Sequence, residues 1–208
     1  MEAAPARAEP PAAGVAAGKR GLKTGLRGRV RTALLMLDET IITETPPLYA
    51  CYGRIGQQVT VPITGNRAKR IVHGALNVGT GAVQLLITHE WVQETHQAFL
   101  RQIRGHWRGW DVVLFEDRGS PHTADDSRDL AAALGIQVRL LPTATPKLNA
   151  MDHLFRHVKG RAEANRATRS IDESADNACR YLLDMSPRER LRKAGVLSGN
   201  FWLTTWPD

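Results

Sequence analysis

Three aspartates stand where this chain could do chemistry. Asp38 directly follows the apolar run Ala33-Leu34-Leu35-Met36-Leu37. Asp117 follows Val112-Val113-Leu114-Phe115-Glu116 in the same manner. Asp152 sits beside Met151 in a stretch where Leu148, Met151, Phe155, Val158 and Ala162 recur at helical spacing. Carboxylates gathered in a low-dielectric place repel one another unless a cation neutralises them. Three oxygen donors, without a cysteine or an evident histidine cluster, suit Mg2+ or Mn2+ rather than zinc. Two such ions about 4 Å apart can activate a water and stabilise a leaving 3′ oxygen during in-line phosphoryl transfer. Each acid taken alone has a plainer reading. An aspartate after a strand is often a turn or cap residue, and Asp152 could simply pair with Arg156 one turn further on. The chemistry rests on the set.

The surrounding pattern must bring the three together. Residues 33–37 and 112–115 read as short buried strands, each closed by acid. In an open α/β sheet ligands collect at the C-terminal ends of strands, where Asp38 and Asp117 fall. Residues 46–70 mix Pro, Gly, Tyr and Arg and read as irregular or edge structure. Ile71–Leu76 and Val83–Ile87 flank Asn77-Val78-Gly79-Thr80-Gly81, a hairpin signal. A helix is expected over 90–104, with Val92, His96, Phe99 and Ile103 on its apolar face. A second should begin at a capping box of Thr123 and Asp126 and stop at Gly135, before a strand over Ile136–Leu141. Strand, helix and strand with short links predict a right-handed parallel crossover. The helix from Leu148 to about Asn165 carries Asp152 at the border of its apolar stripe. Another helix is expected near Asp172–Met185, and Phe201, Trp202, Leu203 and Trp206 are apolar enough to dock.

Charge is unevenly distributed. The net charge is +7, of which residues 1–31 carry +5 and the remaining 177 only +2. Residues 1–30 are rich in Ala, Pro, Gly and Arg without periodicity and read as a flexible basic arm. No apolar run approaches the roughly 20 residues of a membrane span. Pro5, Pro10, Pro11 and nearby charges interrupt the alanine-rich start, which lacks the apolar centre of a secretory signal. With only Cys51 and Cys179, a disulfide framework is not expected, and a reducing cytoplasm fits.

The motifs Leu35-Met36-Leu37-Asp38-Glu39-Thr40, Phe115-Glu116-Asp117-Arg118-Gly119-Ser120-Pro121-His122 and Pro146-Lys147-Leu148-Asn149-Ala150-Met151-Asp152-His153 occur in that order. Thirty-four residues separate Asp117 from Asp152. In these features the chain resembles the DDE-type catalytic domain of mariner-like and bacterial insertion-sequence transposases, from about residue 31 to 203. The resemblance implies an RNase H-like mixed sheet flanked by helices, with an arm at 1–30, a catalytic core at 31–168 and a helical tail at 169–208. It implies that Asp38, Asp117 and Asp152 hold two Mg2+ or Mn2+ ions. It implies hydrolysis at transposon ends and attack of the freed 3′ hydroxyl on target DNA. Glu39, His122 and Asn149 become neighbours of the centre, His122 touching phosphate or orienting Asp117, and Asn149 capping its helix. Two positions depart from the relatives: Ala150 replaces the usual proline, and Arg118 follows Asp117 where many have asparagine.

Between His153 and Arg169 the bases Arg156, Lys159, Arg161, Arg166 and Arg169 oppose a single acid, Glu163. With Arg118, this strip is the expected phosphate-binding surface, indifferent to base sequence. The expected partner is DNA, bound as a homodimer on transposon ends in a bacterial cytoplasm at the nucleoid, with no membrane. Relatives carry N-terminal helix-turn-helix domains, and 30 residues are too few for one. The expectation is a fragment, one product of a split or frameshifted gene whose partner is a separately encoded helix-turn-helix segment, or a degraded copy. Two alternatives stay open: a truncated remnant that only binds DNA, and a cellular RNase H-like nuclease.

Overall fold

In a computed structural model describing residues 31–63 and 65–203, the apolar run at 33–37 is the first half of a longer strand, β1 (Thr32–Thr43). There follow β2 (Lys69–Asn77), β3 (Val83–Thr88), α1 (Gln93–His106) and β4 (Asp111–Glu116). A single turn, α2 (Ser120–Thr123), leads into α3 (Asp125–Ala133) and β5 (Ile136–Leu140). A 3-10 turn (Pro146–Leu148) precedes α4 (Ala150–Val158), which widens into a π turn (Lys159–Glu163). Helices α5 (Ile171–Asp184) and α6 (Pro187–Lys193) follow. The sheet order is β3-β2-β1-β4-β5. The hairpin pairs β1–β2 and β2–β3 are antiparallel, while β1–β4 and β4–β5 are parallel, as a helical crossover requires.

The sheet buries both faces, and strand alternation divides the core. Leu35, Leu37, Val112 and Leu114 pack with Phe99, Leu100 and Ile103 of α1 and Ala131 of α3. Met36, Val72, Val113 and Phe115 pack with Met151, Leu154 and Phe155 of α4 and with Ala178 and Leu182 of α5. Phe201 is buried in this second cluster, and Trp202 Nε1 donates to the Leu148 carbonyl over 2.8 Å. Trp206 and the arm at 1–30 lie outside the described residues.

Three local expectations are corrected. The first strand does not end at Asp38; it runs on to Thr43 because β2 stays paired as far as Thr43↔Lys69. The Thr123–Asp126 capping box does not form. Pro121, favourable in a first helical turn, starts α2 early, and the Thr123 hydroxyl instead donates to the Gly119 carbonyl over 3.1 Å. The helix expected from Leu148 to Asn165 is three pieces, with Leu148 in the 3-10 turn and Gly160 within the π turn. The stop at Gly135 is as expected, with φ of 66°. Helix α6 was not anticipated, although Ser186 accepting from the Glu189 amide (3.2 Å) with Pro187 next is a legible start signal.

Candidate active site

Parallel strands β1 and β4 are hydrogen-bonded from Thr32↔Asp111 to Met36↔Phe115. Two residues beyond the last of these pairs stand Asp38 and Asp117. They are register-equivalent and share the Met36–Phe115 face. They face α4, whose first turn carries Asp152. All three acids line one cleft of about 360 Å³ with Arg118, Gly119, Asn149 and residues 141–146. Asn149 seats the helix. Its Oδ1 accepts from the Met151 amide (3.0 Å) as an N-cap, and its Nδ2 donates to the Leu37 carbonyl (2.8 Å), one residue before Asp38. Gly74 stands directly across from Asp38 on β2. A Cβ there would lie 2.3 Å from Met151 Cε and 2.7 Å from Phe155 Cζ, so the glycine lets α4 lie close to the sheet.

Burial, then the charges of Glu39, Asp152 and Asp117, push the Asp38 carboxyl up to about 8. Asp117, more open to solvent, is held below its usual value, chiefly by the hydrogen bond from His122. Asp152 pairs with Arg156 one turn on. This crowding of acids fits a divalent cation: oxygen donors converge, and one of them gives up its proton readily only if a positive charge replaces it. Asp38, Asp117 and Asp152 would hold such an ion.

The opposite face of the same strand ends carries a buried polar layer. Glu39 Oε1 receives His122 Nε2 at 3.0 Å and His73 Nδ1 at 3.2 Å. His122 Nδ1 lies 2.7 Å from Asp117 Oδ1. Burial opposes a charge on His122, but its bonds to Asp117 and Glu39 outweigh it and lift the pKa to about 11. Burial likewise opposes charge on Glu39, yet His122 and His73 draw it down to about 2. Alongside, burial raises Glu116 to about 8 and lowers His96 to about 3, so both are neutral near pH 7. His96 Nε2 stands 3.6 Å from Glu116 Oε2.

Among the residues singled out by sequence, Asp38, Asp117, Asp152, Asn149 and Arg118 meet in the cleft, while Glu39 and His122 lie behind it. Arg156 is exposed beside Asp152, and Lys159 follows at i+7 on the same helix face. Arg161 is exposed near His157, away from the cleft lining. Arg70 pairs with Asp172 over 2.7 Å, Arg104 bonds the carbonyls of Trp107 and Trp110, and Trp107 is buried. Sequence reasoning missed His73, His96 and Glu116. His96 was read as part of an apolar helix face, and His73 lies inside an apolar strand where it reads as core.

The family profile described as DDE superfamily endonuclease matches residues 33–174, more than half of the chain. The chain belongs to the DDE superfamily endonucleases. No curated protein gives a match. Among solved structures, this DDE endonuclease chain is similar to the Mos1 transposase paired-end complex with left transposon end, at 18% identity and TM-score 0.65 over 91% of this chain and 58% of that one. It is similar to the Mos1 mariner paired end complex with Mn at 19% identity and TM-score 0.63, covering 82% and 53%. The catalytic domain of Mos1 mariner transposase aligns at 16% identity and TM-score 0.61, covering 91% of this chain and 86% of that domain. The shared fold is RNase H-like, as the family resemblance implied. The chain spans 58% of the length of the transposase in the paired-end complex.

Proposed function

We propose that this DDE endonuclease is the catalytic part of a DNA transposase, cleaving strands at transposon ends and joining the freed 3′ hydroxyl to target DNA. The observation carrying this reading is the opening of the β1–β4 ladder at Asp38 and Asp117, with Asp152 delivered to the same cleft by α4. In this reading two ions, Mg2+ or Mn2+, are held by the three aspartates. When bound, they neutralise phosphate charge and lower the pKa of an attacking water.

The chain's own residues orient and bind. His122 holds Asp117 from behind, Glu39 holds His122, and Asn149 fixes α4 against the strand end of Asp38. Arg118 at the cleft rim and Arg156, Lys159 and Arg161 along α4 and the π turn bind phosphates without reading bases. The proposed division of the chain is an arm at 1–30, a core at 31–168 and a tail at 169–208. A homodimer engages two transposon ends, in the cytoplasm at the nucleoid. Likeness to Mos1 complexes with transposon ends and with Mn supports the choice of DNA and of divalent ions.

Nicking of supercoiled plasmid in Mg2+ or Mn2+ tests the reading. Wild type is expected to nick, and Asp117→Asn to fall to background. A wild type that binds DNA without nicking would favour a non-catalytic remnant. Cleavage of RNA–DNA hybrid without nicking of DNA would favour a cellular RNase H-like nuclease.

A further inference from the structure

His73 belongs to none of the three motifs. It stands directly opposite Glu39 in the β1–β2 register, fully buried on a strand interior to the sheet. Its Nδ1 reaches Glu39 Oε1 at 3.2 Å. Its Nε2 lies 3.1 Å from the Thr88 hydroxyl, which donates to the Glu90 carbonyl over 2.9 Å. The same Glu39 oxygen takes His122 Nε2 from the other side, and His122 ends on Asp117. One carboxylate oxygen therefore joins a ring anchored in β2 to a ring that touches a cleft acid.

We propose that His73 is a positioning residue for Asp117, acting through Glu39 and His122. The proposal rests on the reading of Asp117 as a metal ligand.

The need for such a strut follows from the topology. The β1–β4 ladder ends at Met36↔Phe115, so Asp117 lies past the last main-chain tie between these strands. His122 crosses the gap from β1 to the segment after β4. Its hold is only as firm as that of Glu39, whose side chain turns about several rotatable bonds. A ring buried in a closely packed sheet interior has little room to move. With His73 on its oxygen, Glu39 keeps one orientation, and His122 and Asp117 inherit it. Partners of metal ligands matter in this way because they orient the donor atom.

The same layer raises a rival possibility. Ligand atoms of Glu39, His96 and His122 all lie within 4.8 Å of one another, close enough to surround a metal ion. However, both nitrogens of His122 face carboxylate oxygens. Both are engaged in hydrogen bonds, so neither is left free for an ion. The layer is built as hydrogen bonds, with His122 as the bridge.

Two variants of the whole chain separate the roles of the ring. His73→Leu removes both polar contacts, whereas the amide of His73→Asn restores a donor near Nδ1. Calorimetric titration with Mn2+ reads the affinity of the ligand set without any turnover, and plasmid nicking at saturating Mn2+ reads kcat apart from KM for DNA. His73→Leu is expected to bind Mn2+ roughly tenfold more weakly and to lose kcat with KM unchanged. His73→Asn is expected to recover most of both. A folded His73→Leu with wild-type Mn2+ affinity and kcat overturns the proposal. So does an equal loss in both variants, which would make the ring a space filler. If His73→Leu fails to fold, Thr88→Val carries the test: Mn2+ binding should weaken while His73 stays in place, and unchanged binding overturns the proposal. Stoichiometric Zn2+ uptake by wild type that His96→Ala abolishes overturns the hydrogen-bonded layer. The underlying reading fails separately, if Asp117→Asn binds Mn2+ as wild type does.

Discussion

At the scale of single residues, a missing side chain and an orphaned one have measurable consequences. Gly74 gives α4 its place against the sheet across from Asp38. Phe155 is stiff and already packed, so an added methyl forces rearrangement rather than slipping into space. Gly74→Ala should cost about 1–3 kcal/mol in urea denaturation, and undiminished stability would show that α4 yields freely. Glu163, in the π turn, is buried, and its Oε1 has no hydrogen-bond partner among the described residues. Burial pushes its carboxyl from 4.5 up to about 7, with Lys159 opposing. Because the folded-state value is raised, the contribution of Glu163 to stability is complete below pH 4.5 and lost as pH rises to about 7. Stability measured across that window should fall more steeply in wild type than in Glu163→Gln. Parallel curves would remove the burial argument.

At the scale of elements, the cleft depends on how α4 is fastened to β1. Asn149 makes both fastenings: it caps the helix and bonds the Leu37 carbonyl. Asn149→Ala loses a cap, worth about 0.5–2 kcal/mol, and leaves a buried carbonyl short of a donor. Asn149→Ala should therefore lower the melting temperature. It should also raise the Mg2+ concentration needed for half-maximal nicking, because Asp152 is no longer registered against Asp38. Loss of stability with an unchanged Mg2+ requirement would confine Asn149 to a capping role. Ala150, where relatives usually have proline, is buried at the first position of α4. The Asn149 cap supplies the helix start that proline would otherwise favour.

At the scale of the whole molecule, charge and cleft have to be considered together. Arg156 and Lys159 extend one face of α4 away from Asp152. If DNA lies along that face, each removed cation should lower the slope of log affinity against log salt by about 1. Binding titrations of Arg156→Ala and Lys159→Ala between low and moderate salt measure this. The affinity loss should be the same for unrelated duplexes. A loss confined to one sequence would mean base reading instead. Arg161, whose charge acts on His157 and which is absent from the cleft lining, should change the slope less if the DNA path follows the cleft.

Much of the fold was legible in the chain itself. Short apolar runs, the glycine-bearing hairpin and the crossover pattern depend on neighbours in sequence, and the strands and most helices fall where that pattern puts them. The three aspartates were legible for the same reason, since Asp38 and Asp117 directly follow apolar runs that must be buried and Asp152 borders the apolar stripe of a helix. Local signals could not say where a strand stops. Asp38 lies within β1, and only pairing with β2 carries the strand on to Thr43. Nor could they reveal the layer behind the cleft. Glu39 and His122 were read as neighbours of the centre, but their link through His73 depends on which residues face each other across the sheet. A histidine amid apolar residues reads as core, and it is core. Strand register gives it Glu39, 34 positions away, and helix packing brings His122, 83 positions from Glu39, to the same carboxylate oxygen.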